Sequence, residues 1–196
     1  MLVFWKQRLV FLAVPKTGTS AWASALAPLA SMVISDPPEL KHAPLYRYNR
    51  FIRPMLDKVG AGGMETLAVV REPVDWLGSW YRYRQRDAIP IKERSTRGMD
   101  FDSFVTAHLA DPCPGFADVG SQARFLDPGN GPGIDRVFRY ENIGAFIEFL
   151  EDRLDFEIIL PRLNVSPEGS TQLAPETEAR LRRERAADFA LYATLD

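Results

Sequence analysis

An apolar run rich in β-formers, Arg8-Leu9-Val10-Phe11-Leu12-Ala13-Val14, passes without a spacer into Pro15-Lys16-Thr17-Gly18-Thr19-Ser20. Trp22, Ala25, Leu26 and Leu29 then follow at helical spacing. A continuous apolar run of this length reads as a strand buried on both faces, and such strands belong to parallel sheets covered by helices. The join between strand and helix therefore constrains the fold more than any other segment. It calls for a tight turn that delivers a helix N-terminus to the end of a central strand.

The rest of the chain repeats the alternation. Thr66 to Val70 is a second buried-strand candidate, and Pro73 stands where a helix can begin, with Leu77, Trp80 and Tyr81 on its apolar face. Pro28 should kink or end the first helix. Asp100 is placed to cap a helix carrying Phe101, Phe104, Val105 and Leu109. Asp127 to Asp135 is turn-rich, Arg136 to Tyr140 is a third short strand, and Ile143, Phe146, Ile147, Leu150 and Leu154 form a helical stripe. Pro175 opens a last, highly charged helix running to about Tyr192. Ser35 to Asn49 and Asp87 to Gly98 read as irregular. The expectation is a single α/β domain over residues 1–196, with a mostly parallel central sheet flanked by helices.

Composition sets outer limits. Hydrophobic residues at 46% and charged residues at 26% are those of an ordinary globular chain long enough to bury a core. A net charge of −2 argues against general nucleic-acid binding. The apolar start is interrupted by Lys6 and Arg8 and no cleavage pattern follows it, so no signal peptide is expected. No stretch approaches the ~20 apolar residues of a membrane span. Cys113 is the only cysteine, so no internal disulfide can form, and a cytoplasmic location is expected. No cluster with metal-ligand spacing is visible.

The segment Pro15 to Ser20 has the chemistry of an anion site. Backbone N–H groups at a helix start point at a bound anion, and the helix dipole favours its charge. Gly18 lets the backbone come close, Lys16 supplies a point charge, and Thr17, Thr19 and Ser20 supply further donors. The loop differs from the Walker A pattern, because Lys16 precedes Gly18 and no glycine stands upstream at the required spacing. A second element, Val70-Arg71-Glu72-Pro73, ends a strand with an arginine suited to a bidentate phosphate contact, and Ser79 follows in the next helix.

Taken together, PKTGTS and R-E-P followed by a serine eight residues after the arginine resemble the two donor-binding motifs of the P-loop sulfotransferases. Weaker similarities continue the match. Arg139-Tyr140-Glu141-Asn142 is similar to that family's RYEDL-like segment, Leu160 to Ser166 to a segment of its carbohydrate-specific members, and Asp188 to Tyr192 to their closing helix. The resemblance is to a small, bacterial-type member and implies a P-loop-type three-layer fold. It also implies transfer of a sulfuryl group from 3′-phosphoadenosine 5′-phosphosulfate (PAPS) to a hydroxyl acceptor, with a carbohydrate favoured, and without a metal. The 5′-phosphosulfate would lie on Lys16, Thr17, Gly18, Thr19 and Ser20, and the 3′-phosphate on Arg71 and Ser79. Lys16 would offset the charge on the leaving phosphate. The glycine-rich C-terminal nucleotide motif of the cytosolic branch is missing, and Trp22 stands one residue later than the adenine-stacking tryptophan of that branch, so that it reads equally as a core residue.

Two residues stand out as candidates for the base, with another group or none left open. Lys41-His42 resembles the Lys-Thr-His segment of the cytosolic branch with one residue missing, and Glu39 is the rival, since carbohydrate branches use a glutamate. An unperturbed imidazole suits proton transfer near neutral pH. His108 lies on an apolar helix face and reads as structural. Lys41, Arg47, Arg50 and Arg53 interleave with Tyr46, Tyr48 and Phe51, either as a site for an anionic or sugar acceptor or as a solvated helix face. Arg82, Arg84 and Arg86 read as solvent-facing or as contributors to the nucleotide site, and Glu176 to Arg185 as a solvated helix with pairs such as Glu178–Arg182. The alternatives are a nucleoside-triphosphate-dependent kinase and a non-catalytic nucleotide-binding protein.

Overall fold

A computed structural model describes residues 1–60, 62–86, 94–161 and 169–195. The chain divides into two compact units: residues 1–71, 122–164 and 195–196 form the first, and residues 72–121 and 165–194 the second.

The first unit is built on a five-stranded sheet. Its strands are β1 (Leu2–Phe4), β2 (Leu9–Leu12), β3 (Met32–Val33), β4 (Glu65–Val70) and β5 (Arg136–Arg139), in the order β3-β1-β2-β4-β5. The three strands expected from the apolar runs are parallel neighbours, with Leu9 opposite Glu65 and Leu67 opposite Arg136. β1 and β3 add antiparallel pairings, Leu2 opposite Phe11 and Leu2 opposite Val33. The sheet is therefore mixed, which corrects the expectation of a mostly parallel one. The Trp5–Arg8 turn between β1 and β2 lacks the Asn-Gly or Asp-Gly signal of a tight hairpin, and Arg8 takes φ 56° there. β3 is two residues long.

Both faces of β2 and β4 are buried, as continuous apolar runs require. One face gives Leu2, Phe4, Leu9, Phe11, Leu67 and Val69 to a core shared with two helices. These are α1 (Thr19–Leu26) and α8 (Ile143–Leu154), which contribute Trp22, Leu26, Phe146, Leu150 and Leu154. Trp22 is 1% exposed and stands edge-on to Phe11 and Phe146, with ring centroids 6.1 and 4.8 Å away. It is a core residue, and burying a side chain of its class stabilises the fold by about 1.5–3 kcal/mol. Pro28 acts as expected, converting the end of the first helix into a 3₁₀ turn, Ala27–Leu29.

Ser35 to Asn49 is more ordered than its composition suggests. It holds α2 (Pro38–Lys41) and the start of a helical run made of α3 (Leu45–Arg47), a π-helical turn (Tyr48–Ile52) and α4 (Arg53–Lys58). Three prolines in the segment are compatible with this, because Pro38 stands in the first turn of α2 and Pro44 immediately before α3. α7 (Gln122–Phe125) opens the second stretch of this unit.

The second unit is helical among its described residues. α5 (Pro73–Arg84) begins on Pro73, with the Glu72 carboxylate accepting from the Asp75 N–H at 2.8 Å. α6 (Phe101–His108) is capped by Asp100, whose Oδ1 accepts from the Ser103 N–H at 2.7 Å. Trp76, Leu77, Tyr81, Phe101, Phe104, Val105 and Leu181 share its core. The charged C-terminal segment is two helices, α9 (Pro175–Glu184) and α10 (Ala186–Ala193), separated at Arg185. Arg185 turns there because its guanidinium reaches inward, donating from Nη2 to the His108 carbonyl and from Nε to the His108 ring. Arg84, expected in solvent, is buried and donates to the Gly115 carbonyl at 2.7 Å. Of the loop expected at Asp87 to Gly98, residues 87–93 lie outside the described residues. So does most of the Leu160–Ser166 segment.

Candidate functional site

The loop between β2 and α1 turns on two left-handed residues, Lys16 at φ 68° and Gly18 at φ 76°. Glycine takes this conformation freely, whereas a lysine there stores about 1–3 kcal/mol of backbone strain. The Thr17 hydroxyl, fully buried, donates to the Val14 carbonyl at 2.8 Å and so ties the loop to the strand end. Thr17 can therefore offer an anion its N–H rather than its side chain. Gly18 is the N-cap of α1, and no side chain caps that helix. The Ala21 N–H already bonds the Gly18 carbonyl at 2.9 Å, so the N–H groups left to meet an acceptor from outside are those of Thr19 and Ser20 ahead of it.

Two neighbouring segments bring charge to the loop. α2 places Lys41 so that its Nζ lies 3.4 Å from the Ser20 hydroxyl. His42, next in the chain, has Nδ1 2.7 Å from the Ala13 carbonyl oxygen. That oxygen can only accept, so Nδ1 carries the hydrogen and the neutral ring presents its lone pair at Nε2. Burial holds the His42 pKa below its ordinary 6.5, against the Ala13 hydrogen bond, and the nearby cations Lys41 and Lys16 push in the same direction as burial. His42 is thus a neutral base at neutral pH. Glu39, on the same short helix, is exposed.

Arg71 leaves the end of β4 toward the same loop. Its guanidinium lies over the Tyr140 ring, 4.5 Å from the centroid, and Nη1 is 3.5 Å from the Lys16 carbonyl oxygen. Its backbone is held from the other side. The buried Gln122 accepts from the Arg71 N–H at 2.9 Å through Oε1 and donates to the Arg71 carbonyl at 2.7 Å through Nε2. A side-chain amide here extends the sheet ladder by one residue and fixes the direction in which Arg71 leaves the strand.

The first unit therefore gathers Lys16, Thr17, Gly18, Thr19, Ser20, His42 and Arg71, all singled out in the sequence. Ser79 belongs to the second unit, buried in α5. Gln122 was missed, because a glutamine after Gly120-Ser121 carries no local signal. Lys41 was visible in a basic run and in the Lys41-His42 pair, but not as a partner of the loop. His108 is structural: its Nδ1 lies 2.9 Å from the Ala117 carbonyl. Burial raises the Cys113 thiol pKa, which disfavours the nucleophilic thiolate.

Among the described residues no group of His, Cys, Asp and Glu is placed to hold a metal ion, and no helix is long and apolar enough to cross a membrane. No protein-family model matches the chain, and neither does any curated protein or solved structure.

Proposed function

We propose that the protein is a PAPS-dependent sulfotransferase of the P-loop type, acting on a hydroxyl acceptor, with a carbohydrate favoured. One observation carries the reading: two sequence motifs 55 residues apart converge, with the Arg71 guanidinium against the Lys16 carbonyl of an uncapped helix start. A site with cations on several sides and unspent backbone N–H groups suits a dianionic phosphate ester. When bound, PAPS supplies the activated sulfuryl group.

Each residue has a defined task in this reading. The N–H groups of Thr17 to Ser20 hold the 5′-phosphate. Lys16 and Lys41 offset the negative charge that builds on the leaving oxygen, which is where preorganised cations act most strongly. Arg71 grips the 3′-phosphate with its planar fork, oriented by Tyr140 and Gln122. Ser79 has the same task on the strength of the resemblance alone. His42 Nε2 takes the proton of the attacking hydroxyl. The carbohydrate preference rests on the Leu160–Ser166 segment.

Calorimetric titration with 3′,5′-adenosine bisphosphate, against ATP with Mg²⁺, tests the donor site. The expected result is metal-free binding of the bisphosphate, weakened about 10- to 100-fold by Arg71→Ala, the range for losing a charge-assisted contact. Absence of bisphosphate binding would end the sulfotransferase reading, and preferential Mg²⁺-dependent ATP binding would favour a kinase.

A further inference from the structure

The helical run Leu45–Lys58 turns one face inward and leaves the other exposed among the described residues. Leu45, Tyr48 and Leu56 are buried, whereas Phe51, Met55 and, just beyond the run, Val59 are 61%, 47% and 66% exposed. Those three recur every fourth residue, so they form one stripe. Tyr46 and Leu40 are also exposed, so that most of the large exposed apolar side chains among the described residues fall between Leu40 and Val59. A contiguous exposed apolar patch marks an interaction surface, unlike scattered single residues.

The charge around the stripe identifies what it meets. Between Leu40 and Gly60 the basic residues are Lys41, Arg47, Arg50, Arg53 and Lys58, and the only acidic one is Asp57, in a chain whose net charge is −2. Arg47, Arg50 and Lys58 are exposed and form no ion pair among the described residues. The Arg50 guanidinium lies 5.2 Å from the Phe51 ring centroid, so apolar and cationic groups stand side by side. Basic side chains at the flanks of the stripe match a negatively charged surface.

We infer that the Leu45–Val59 face is a peripheral membrane-docking surface that binds anionic lipid bilayers. Phe51, Met55 and Val59 enter the headgroup boundary, and Arg47, Arg50 and Lys58 lie among the anionic headgroups, their stems along the apolar stripe. This inference does not depend on the sulfotransferase reading.

Cosedimentation of the full chain with vesicles tests it, using phosphatidylcholine alone and phosphatidylcholine mixed with phosphatidylglycerol. The expected result is binding to the mixed vesicles only, reduced by added salt. Arg47→Gln with Arg50→Gln should weaken the partition about thirtyfold, the combined effect of two headgroup-facing charges. Phe51→Ser with Met55→Ser should abolish it, with melting temperatures unchanged in both double variants because every altered side chain is exposed. No binding, equal binding to the neutral vesicles, or binding that survives both double variants overturns the proposal. So does a self-associated species in light scattering that Phe51→Ser converts to monomer, since the face would then be an interface between copies of the chain.

Discussion

At the scale of single residues, Lys16 is where function and stability pull apart. Its left-handed backbone suits glycine, yet its side chain is the charge that the proposed chemistry requires. Lys16→Gly should give a protein about 1 kcal/mol more stable than Lys16→Ala, since only glycine relieves the strain. Both variants should lose transfer activity, and denaturant unfolding beside a PAPS-dependent assay separates the two effects. His42 offers a second test. Its proton-accepting form persists below the ordinary histidine range, so the acid limb of the kcat/KM profile should fall below pH 6.5, and His42→Ala should remove that limb together with most of the rate. The Lys16, Gly18 and His42 positions could be read from residue type and spacing. The tautomer of His42 could not, because it is set by a carbonyl 29 positions away in the chain.

At the scale of elements, what matters is how strand ends are aimed. β4 and β5 are locked at their start by a reciprocal contact: Asp135 Oδ2 accepts from the Thr66 N–H at 2.7 Å and from its hydroxyl at 2.6 Å, and the Thr66 hydroxyl accepts from the Asp135 N–H at 3.1 Å. Thr66→Val keeps the shape and removes the hydroxyl, so it should cost about 1–3 kcal/mol, measurable as a lower denaturation midpoint. At the other end of β4, Gln122 does the aiming. Gln122→Leu should destabilise the fold by a similar amount, about 1–3 kcal/mol, by removing both hydrogen bonds to the part-buried Arg71 backbone. It should also weaken bisphosphate binding, although the substituted side chain touches no ligand in the proposed site. A purely structural role would lower stability and leave affinity where it was. The strands β2, β4 and β5, α1 with its proline-induced end, and the Pro73 helix start were all legible, because apolar periodicity and proline stereochemistry act within a few residues. β3 and the break at Arg185 were not, since each is held by a partner far along the chain, and β1 was not, since its turn into β2 carries no tight-hairpin signal.

At the scale of the whole molecule, acid should loosen the fold through its histidines. Burial lowers the pKa of both His42 and His108 below 6.5, with Arg185 adding to the effect at His108 and Asp188 and Asp118 opposing it. The unfolded chain therefore binds more protons than the native one as pH falls past 6.5, so this stability is complete above that value and is lost through the native pKa values. Melting temperature should drop between pH 7 and pH 5, and His108→Gln should flatten part of the slope. The α/β class and the position of a glycine-containing turn between a central strand and a helix follow from the sequence by itself, because a two-faced apolar strand, a glycine in a turn and a proline at a helix start are local requirements that few folds satisfy. Only the tertiary structure decided that the sheet is mixed, that Trp22 serves the core, that Arg84 is buried, and that Gln122 orients Arg71. Each of these is a contact between residues distant in the chain, and pairings of that kind are settled by which surfaces meet on packing, a property no short stretch of sequence contains.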